Sequence, residues 1–193
     1  HFHPGIYRPV GVDAASETES SLVGGATSIL SYFRTGSHYL NKTGTYRDIL
    51  PEVLEMTRGR AHTDYGYHLA PMTTAQLDEI EWLAGEAGVA SFKYYMFYKG
   101  LNLAASSSDA AAYTMSDNYD FGHLFAMMER IAEAGEKQAG RARISLSMHC
   151  ENAELIKLFI WRVGDPGLPP LGTSSRARPA LTERPPTQAA GRR

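Results

Sequence analysis

Residues 89–96 read VASFKYYM, a short apolar and aromatic run that predicts a buried strand with Lys93 in its middle. A helix is predicted just before this strand, from a cap at Thr73 or Thr74 to about Ala87. The same alternation extends in both directions along the chain, with strands at Ala26–Phe33, Asp64–Leu69 and Ile144–His149 and helices at Ser16–Leu22, Tyr46–Arg58, Phe121–Ala134 and Ala153–Val163. Such alternation is typical of βαβ units, so the predicted fold class is α/β with a parallel sheet.

The number of strands leaves two architectures open. Four strands are predicted, together with the stub of a fifth strand just before His1. A closed eight-stranded α/β barrel usually takes about 250 residues, and this chain has 193. The pattern therefore predicts either a smaller open sheet or part of a barrel, and favours neither.

The composition excludes several classes of protein. Lysine and arginine (19) nearly balance aspartate and glutamate (21), for a net charge of -2, so no global field attracts nucleic acid or an anionic membrane. A single cysteine, Cys150, excludes an internal disulfide and Cys-based zinc modules. No apolar run approaches a membrane span and no signal peptide begins the chain, so a cytoplasmic location is expected.

Two segments are predicted to lack regular structure. Residues 100–120 are small and polar without a clear period, which predicts a long loop after the third strand. Residues 164–193 hold six of the ten prolines and few large apolar side chains, so we expect a loosely ordered tail after a domain that covers residues 1–163.

Four residues on three different predicted strands, assigned to the carboxyl-terminal rim of the sheet, have side chains that can hold a metal. His1 and His3 form an HxH pair, whose side chains point the same way on a strand. Lys93 lies in a buried run, where a neutral amine can act as a nucleophile, also toward carbon dioxide. His149 ends the strand ISLSMH. Since parallel strands bring their carboxyl ends to one rim, the four together predict a metal site.

Each of these residues has a structural alternative when it is taken singly. The HxH pair can be a tag remnant or solvated, Lys93 can end its strand with its head in water, and His149 can be a core histidine. Tyr98 could donate a hydrogen bond to a developing oxyanion, or it could simply pack. His68 is a weaker ligand candidate. The remaining histidines are interpreted as surface or loop residues, namely His38, His62 and His123.

Three segments together resemble the amidohydrolase superfamily, and more narrowly its hydantoinase, dihydropyrimidinase and dihydroorotase group. These segments are HFHPG at 1–5, SFKYYMFYKG at 91–100 and SMHCENAELI at 147–156, and the resemblance extends over about residues 1–163. Its most specific element is the combination of SFK-x-x-M-x-Y with HCEN. In the tail, Ser175–Glu183 faintly resembles a further stretch of the family, S-R-P-P-x-x-E.

The resemblance implies a (β/α)8 TIM barrel of the metal-dependent type, with two divalent metal ions at its mouth, zinc being the expected metal. It implies that His1 and His3 bind the more buried ion, that Lys93 is a bridging ligand carbamylated by carbon dioxide, and that His149 binds the second ion. Tyr98 corresponds to the tyrosine that assists at the substrate carbonyl. The implied reaction is hydrolysis of a cyclic amide or imide C–N bond, of the hydantoin, dihydropyrimidine or dihydroorotate type, by a metal-bound hydroxide.

The chain departs from the family pattern at both ends. The family's aspartate before the first histidine would precede His1, and a further histidine and the general-base aspartate would follow Arg193. We therefore expect a fragment of about the first five βα units, inactive on its own, from a homo-oligomeric parent that binds a small cyclic amide and neither nucleic acid nor membrane. The competing interpretation is a non-catalytic, dihydropyrimidinase-related scaffold protein.

Overall fold

The computed structural model describes residues 2–6, 8–36, 39–40, 42–96, 119–138, 143–152, 154–155 and 158. The predicted loop lies outside the described residues except for Tyr119 and Asp120, and the predicted tail lies wholly outside them. Of the helix predicted at 153–163, the described residues Glu154, Leu155 and Leu158 are helical.

Helices and strands alternate through the described part of the chain. The helices are Val10–Val23 (α1), Tyr46–Thr57 (α2), Thr74–Leu77 (α3), Ile80–Gly85 (α4) and Phe121–Lys137 (α5), and the strands are Ser28–Arg34 (β1), Asp64–Ala70 (β2), Ser91–Tyr95 (β3) and Ser145–His149 (β4). Within the described residues the strands form one sheet in the order β1-β2-β3-β4. Pairing is parallel between β1 and β2 and between β2 and β3, which confirms the predicted α/β class.

Helix α1 begins earlier than the prediction, which placed its cap at Ser16. The helix begins at Val10, directly after Pro9. The buried carboxylate of Asp13 explains the early start, because it accepts hydrogen bonds from the Gly5 N–H (2.8 Å) and from Nε of Arg8 (2.9 Å) and so secures the first turn. Ser16 lies inside the helix, where its hydroxyl accepts a bond from Arg8 instead.

The single helix predicted between Thr73 and Ala87 is divided into α3 and α4. Thr73 is the N-cap of α3, as predicted, and its hydroxyl accepts from the Gln76 N–H. The division falls next to Glu79, whose buried carboxylate accepts from the N–H groups of Tyr46 (2.6 Å) and Arg47 (2.9 Å). Glu79 thereby caps the first turn of α2, where the helix dipole favours a negative charge.

The two faces of the sheet differ in chemistry. One face, which we call the helix face, carries Phe33, Leu69 and Phe92, all fully buried, and Tyr67, whose hydroxyl bonds to Thr57 of α2. The opposite face, which we call the polar face, is defined by the register of the strands and by the alternation of side chains along them. Its members include Tyr32, His68, Ser91, Lys93 and Ser147.

The chain divides into two compact units. The first comprises His1–Tyr94 and Phe121–Ser147, with most of the helices and the greater part of every strand. The second comprises Tyr95–Asp120 and Met148–Arg193, and in it the Met96 N–H donates to the His149 carbonyl at 2.9 Å. None of the helices in the described part of the chain is long and apolar enough to cross a membrane.

Candidate metal and catalytic site

Three of the five predicted site residues lie within the described part of the chain. His3, Lys93 and His149 are described, whereas His1 and Tyr98 lie outside the described residues. His3 and Lys93 belong to the first compact unit and His149 to the second.

His3 follows a short strand segment that runs beside β1. Phe2 forms a parallel bridge with Ser31, and the Phe2 carbonyl accepts from the Tyr32 N–H at 2.8 Å. The parallel bridge puts His3 next to Tyr32, with 4.5 Å between the ring centroids. A stub of parallel strand therefore places His3 beside Tyr32, on the polar face.

A tyrosine from the loop after β1 orients the His3 ring. The Tyr39 hydroxyl lies 3.4 Å from Nδ1 of His3, and Tyr39 is only 6% exposed. The guanidinium of Arg34, the last residue of β1, covers the Tyr39 ring at 5.0 Å from its centroid. A metal-binding histidine typically has its second ring nitrogen hydrogen-bonded, which fixes tautomer and ring direction. With Tyr39 at Nδ1, the nitrogen suited to a metal is Nε2.

Lys93 is buried in the middle of β3, with 5% of its surface exposed. This burial contradicts the alternative in which its head lies in water.

His68, the weaker candidate, is held by serines at both ring nitrogens. Nδ1 lies 2.6 Å from the Ser91 hydroxyl, and Nε2 lies 2.7 Å from the Ser147 hydroxyl. Burial, and secondarily the nearby charge of Lys93, lowers the pKa of His68 to about 4, so the ring is neutral at pH 7. Both ring nitrogens of His68 therefore have a serine hydroxyl as partner, whereas His3 and His149 each have an orienting group at Nδ1.

In the second unit, His149 lies between an aromatic ring and a carboxylate. Its ring stacks on Tyr95, with 4.7 Å between centroids and 26° between planes. Oε2 of Glu151 lies 3.4 Å from Nδ1, and the His149 side chain is 42% exposed. A carboxylate at one imidazole nitrogen raises the basicity of the other as a metal ligand. His149 therefore also presents Nε2.

The other described histidines differ from one another. His62 is exposed, as predicted. His123 was predicted at the surface or in a loop, but it is buried in α5, because its Nε2 donates to the Pro71 carbonyl at 2.9 Å and so needs no water. His38 lies outside the described residues. Among the residues that the structure describes, no group of three or more histidine, cysteine, aspartate or glutamate side chains is arranged to hold a metal ion.

Sequence reasoning missed the side chains that orient the candidates. Glu151 could have been recognised from its position two residues after His149. The serines Ser91 and Ser147 share a spacing, Ser-x-Lys in β3 and Ser-x-His in β4, that places each serine on the same face as the candidate that follows it. Tyr39 has no such local signal, because it comes from a loop distant in sequence.

Comparisons with known proteins agree on one group of enzymes. A D-hydantoinase of Rhizobium radiobacter is 29% identical over 91 residues, which cover 46% of this chain and 19% of that protein. The solved structures of dihydropyrimidinase from Brevibacillus agri (TM-score 0.54, 22% identity) and of L-hydantoinase (dihydropyrimidinase) from Arthrobacter aurescens (TM-score 0.58, 20% identity) match 84% and 88% of this chain. No family model matches the chain.

The matches also limit what the chain represents. It spans about a fifth of the length of the curated relative and 30% and 32% of the two solved chains. At these identities the structural matches establish the fold alone, and the sequence match adds a similarity to one D-hydantoinase. The resemblance predicted from HFHPG, SFKYYMFYKG and SMHCENAELI is thereby confirmed: the chain is similar to a D-hydantoinase in sequence and to dihydropyrimidinase and hydantoinase in fold, over part of their length.

Proposed function

We propose that this chain contributes part of the metal site of an enzyme that hydrolyses a C–N bond in a cyclic amide or imide, of the hydantoin, dihydropyrimidine or dihydroorotate type. The observation that carries the proposal is Lys93, a lysine 5% exposed in a parallel strand. It follows an HxH pair and precedes a strand-end histidine in the order of the family. His3 and His149 each have an orienting group at Nδ1, which supports the same role.

The order of the strands in the sheet supports a partial (β/α)8 barrel. The stub at Phe2 pairs with β1, and the strands then follow in sequence order, β1-β2-β3-β4. An open doubly wound sheet reverses its strand order at a switch point, whereas a barrel adds each strand beside the one before it. In this proposal the chain supplies consecutive βα units of a barrel.

The donor set suits a pair of divalent metal ions, and zinc in particular. Imidazole nitrogen and an anionic oxygen ligand are typical of catalytic zinc sites. His1 and His3 would hold one ion and His149 the other. Lys93, carbamylated by carbon dioxide, would add an anionic oxygen ligand, because dications favour an anionic ligand that an ammonium cannot provide. When bound, the ions supply an activated water and polarise the substrate carbonyl.

The chain's own residues orient this chemistry. Tyr39 and Glu151 direct the two imidazoles, and Tyr98 would donate a hydrogen bond to the carbonyl oxygen as negative charge develops there. In the net reaction water adds to the carbonyl carbon, the ring C–N bond breaks, and the nitrogen takes a proton. The substrate is a small molecule, and we expect the active protein to be a homo-oligomer.

Metal analysis and a ring-opening assay test the proposal on the complete protein that carries this sequence. We expect about two zinc ions per chain and turnover of at least one of hydantoin, dihydrouracil and dihydroorotate. Lys93→Ala should lose both metal and turnover. Lys137→Ala is the matched control, because Lys137 is an exposed lysine paired with Glu81 and should retain both. Wild-type protein with neither metal nor turnover would instead support a non-catalytic scaffold.

A further inference from the structure

We propose that His68 is a positioning residue for the candidate site, and that the Ser91–His68–Ser147 bridge sets the strands that carry Lys93 and His149. The inference rests on the proposed function, since it concerns the same ligands. It gives a role to a buried histidine that does not itself bind metal.

The bridge joins three strands through one side chain. His68 is in β2, and its two nitrogens reach hydroxyl groups in β3 and β4 at 2.6 and 2.7 Å. Neighbouring strands lie about 4.8 Å apart, so the contact from β2 to β4 crosses two strand spacings. His68 is only 6% exposed, so both contacts are formed by a buried ring. The bridge therefore links β2, β3 and β4 at this level of the sheet.

Each serine lies two residues before a proposed ligand, on the same face of the sheet. Ser91 precedes Lys93 by two residues, and Ser147 precedes His149 by two residues. Residues i and i+2 of a strand point to the same face and are about 6.6 Å apart. The Ser145 N–H also donates to the Ala90 carbonyl at 2.9 Å, which sets the register of β3 against β4. Fixing the two serines consequently limits how far the following side chains can shift or rotate.

Two hydrogen bonds anchor the buried ring. A cavity of about 570 Å³ in the first unit borders His68, Ser91 and Ser147, with Leu30 on another wall. A neutral imidazole has one donor and one acceptor, so one serine donates to it and the other accepts from it. Replacing His68 by an apolar side chain of similar size would leave both serine hydroxyls without the imidazole as partner. The three strands would then no longer be linked through this side chain.

The test uses the zinc-loaded complete protein. His68→Leu removes both hydrogen bonds, and Ser147→Ala removes one with little change in volume. The readouts are the affinity for each zinc ion, from competition with a chromogenic chelator, and the carbamate of Lys93, from ¹³C NMR after incubation with labelled bicarbonate. We expect both variants to bind zinc about 10- to 100-fold more weakly, the range for partners of metal ligands, with less carbamate. Ser147→Thr keeps the hydroxyl and should restore the affinity.

Tyr67→Phe is the matched control. Tyr67 is next to His68 in β2 but points to the helix face, where its hydroxyl bonds to Thr57. Loss of that bond should lower stability and leave zinc affinity unchanged.

Two results would overturn the positioning role. One is unchanged zinc affinity and carbamate in both His68→Leu and Ser147→Ala. The other is an equal loss of affinity in Tyr67→Phe, which would make the effect one of general stability. Failure of the proposed function is seen separately, because the wild-type protein would then hold no zinc pair. Should His68→Leu not fold, Ser147→Ala with its Ser147→Thr rescue decides the question.

Discussion

The hydroxyl of Tyr39 lies 3.4 Å from Nδ1 of His3, although 36 residues separate them in sequence. The contact joins the loop after β1 to the stub of strand that precedes α1. It gives a candidate ligand a defined ring direction through a residue that is itself buried.

Tyr39→Phe should weaken binding of the metal ion held by His3 about tenfold, because the ring loses the partner that fixes its orientation. Zinc competition with a chelator measures the change. Tyr46→Phe is the control, since the Tyr46 hydroxyl donates to the Ala70 carbonyl at 2.6 Å and its loss affects only stability. Equal zinc affinity in Tyr39→Phe and wild type would contradict the prediction.

Glu151→Gln should weaken binding of the second metal ion, the one proposed at His149, by about tenfold as well. The carboxylate at Nδ1 of His149 favours the tautomer that leaves Nε2 to the metal and fixes the direction of the ring. An amide keeps the shape but not the charge. Glu154→Gln, at an exposed position nearby, should bind zinc as the wild type does. If the two variants behave alike, Glu151 has no orienting role.

Lys93 should carry one molecule of carbon dioxide in the metal-loaded protein. Its burial at 5% exposure would protect a carbamate, and the proposed role as a metal ligand needs an anion in place of the ammonium. Native mass spectrometry at neutral pH, with bicarbonate present, should detect the added mass, and Lys93→Arg should lack it. An active, metal-replete protein with unmodified Lys93 under these conditions would refute the carbamate.

Acidification should destabilise the fold through His68. Its pKa is lowered to about 4 in the folded protein, against about 6.5 in the unfolded chain. The stability that neutral His68 contributes is therefore fully present above about pH 6.5 and is lost as the pH falls toward 4. Between these two pH values the unfolded chain binds a proton at His68 more readily than the folded protein does. The loss in the free energy of unfolding is roughly 3 kcal/mol at most.

Urea unfolding at several pH values between 7.5 and 4.5 measures this loss. His68→Leu should be less stable at pH 7.5 and depend less on pH. His62→Gln alters an exposed histidine and should keep the wild-type pH dependence. A His68→Leu protein that loses stability with acid as steeply as wild type would show that other groups are responsible.

Local patterns were enough to predict the order of elements, because they depend on neighbours in sequence. The apolar run at residues 89–96 became β3, and the periodic segment from Tyr46 became α2 at the predicted start. The start of α1 was predicted wrongly, because the bonds that Asp13 makes to Gly5 and Arg8 compete with the capping box at Ser16. Likewise the division between α3 and α4 follows from Glu79 capping a different helix.

By itself the sequence determined the class of fold, the parallel sheet and the resemblance to hydantoinases, since alternation and short motifs are encoded locally. The tertiary structure decided how the side chains of the candidate site are oriented. That His68 joins Ser91 and Ser147, and that Tyr39 meets His3, depends on residues 23 to 79 positions apart. Such pairs are set by the order and register of the strands, which no single segment of the chain encodes.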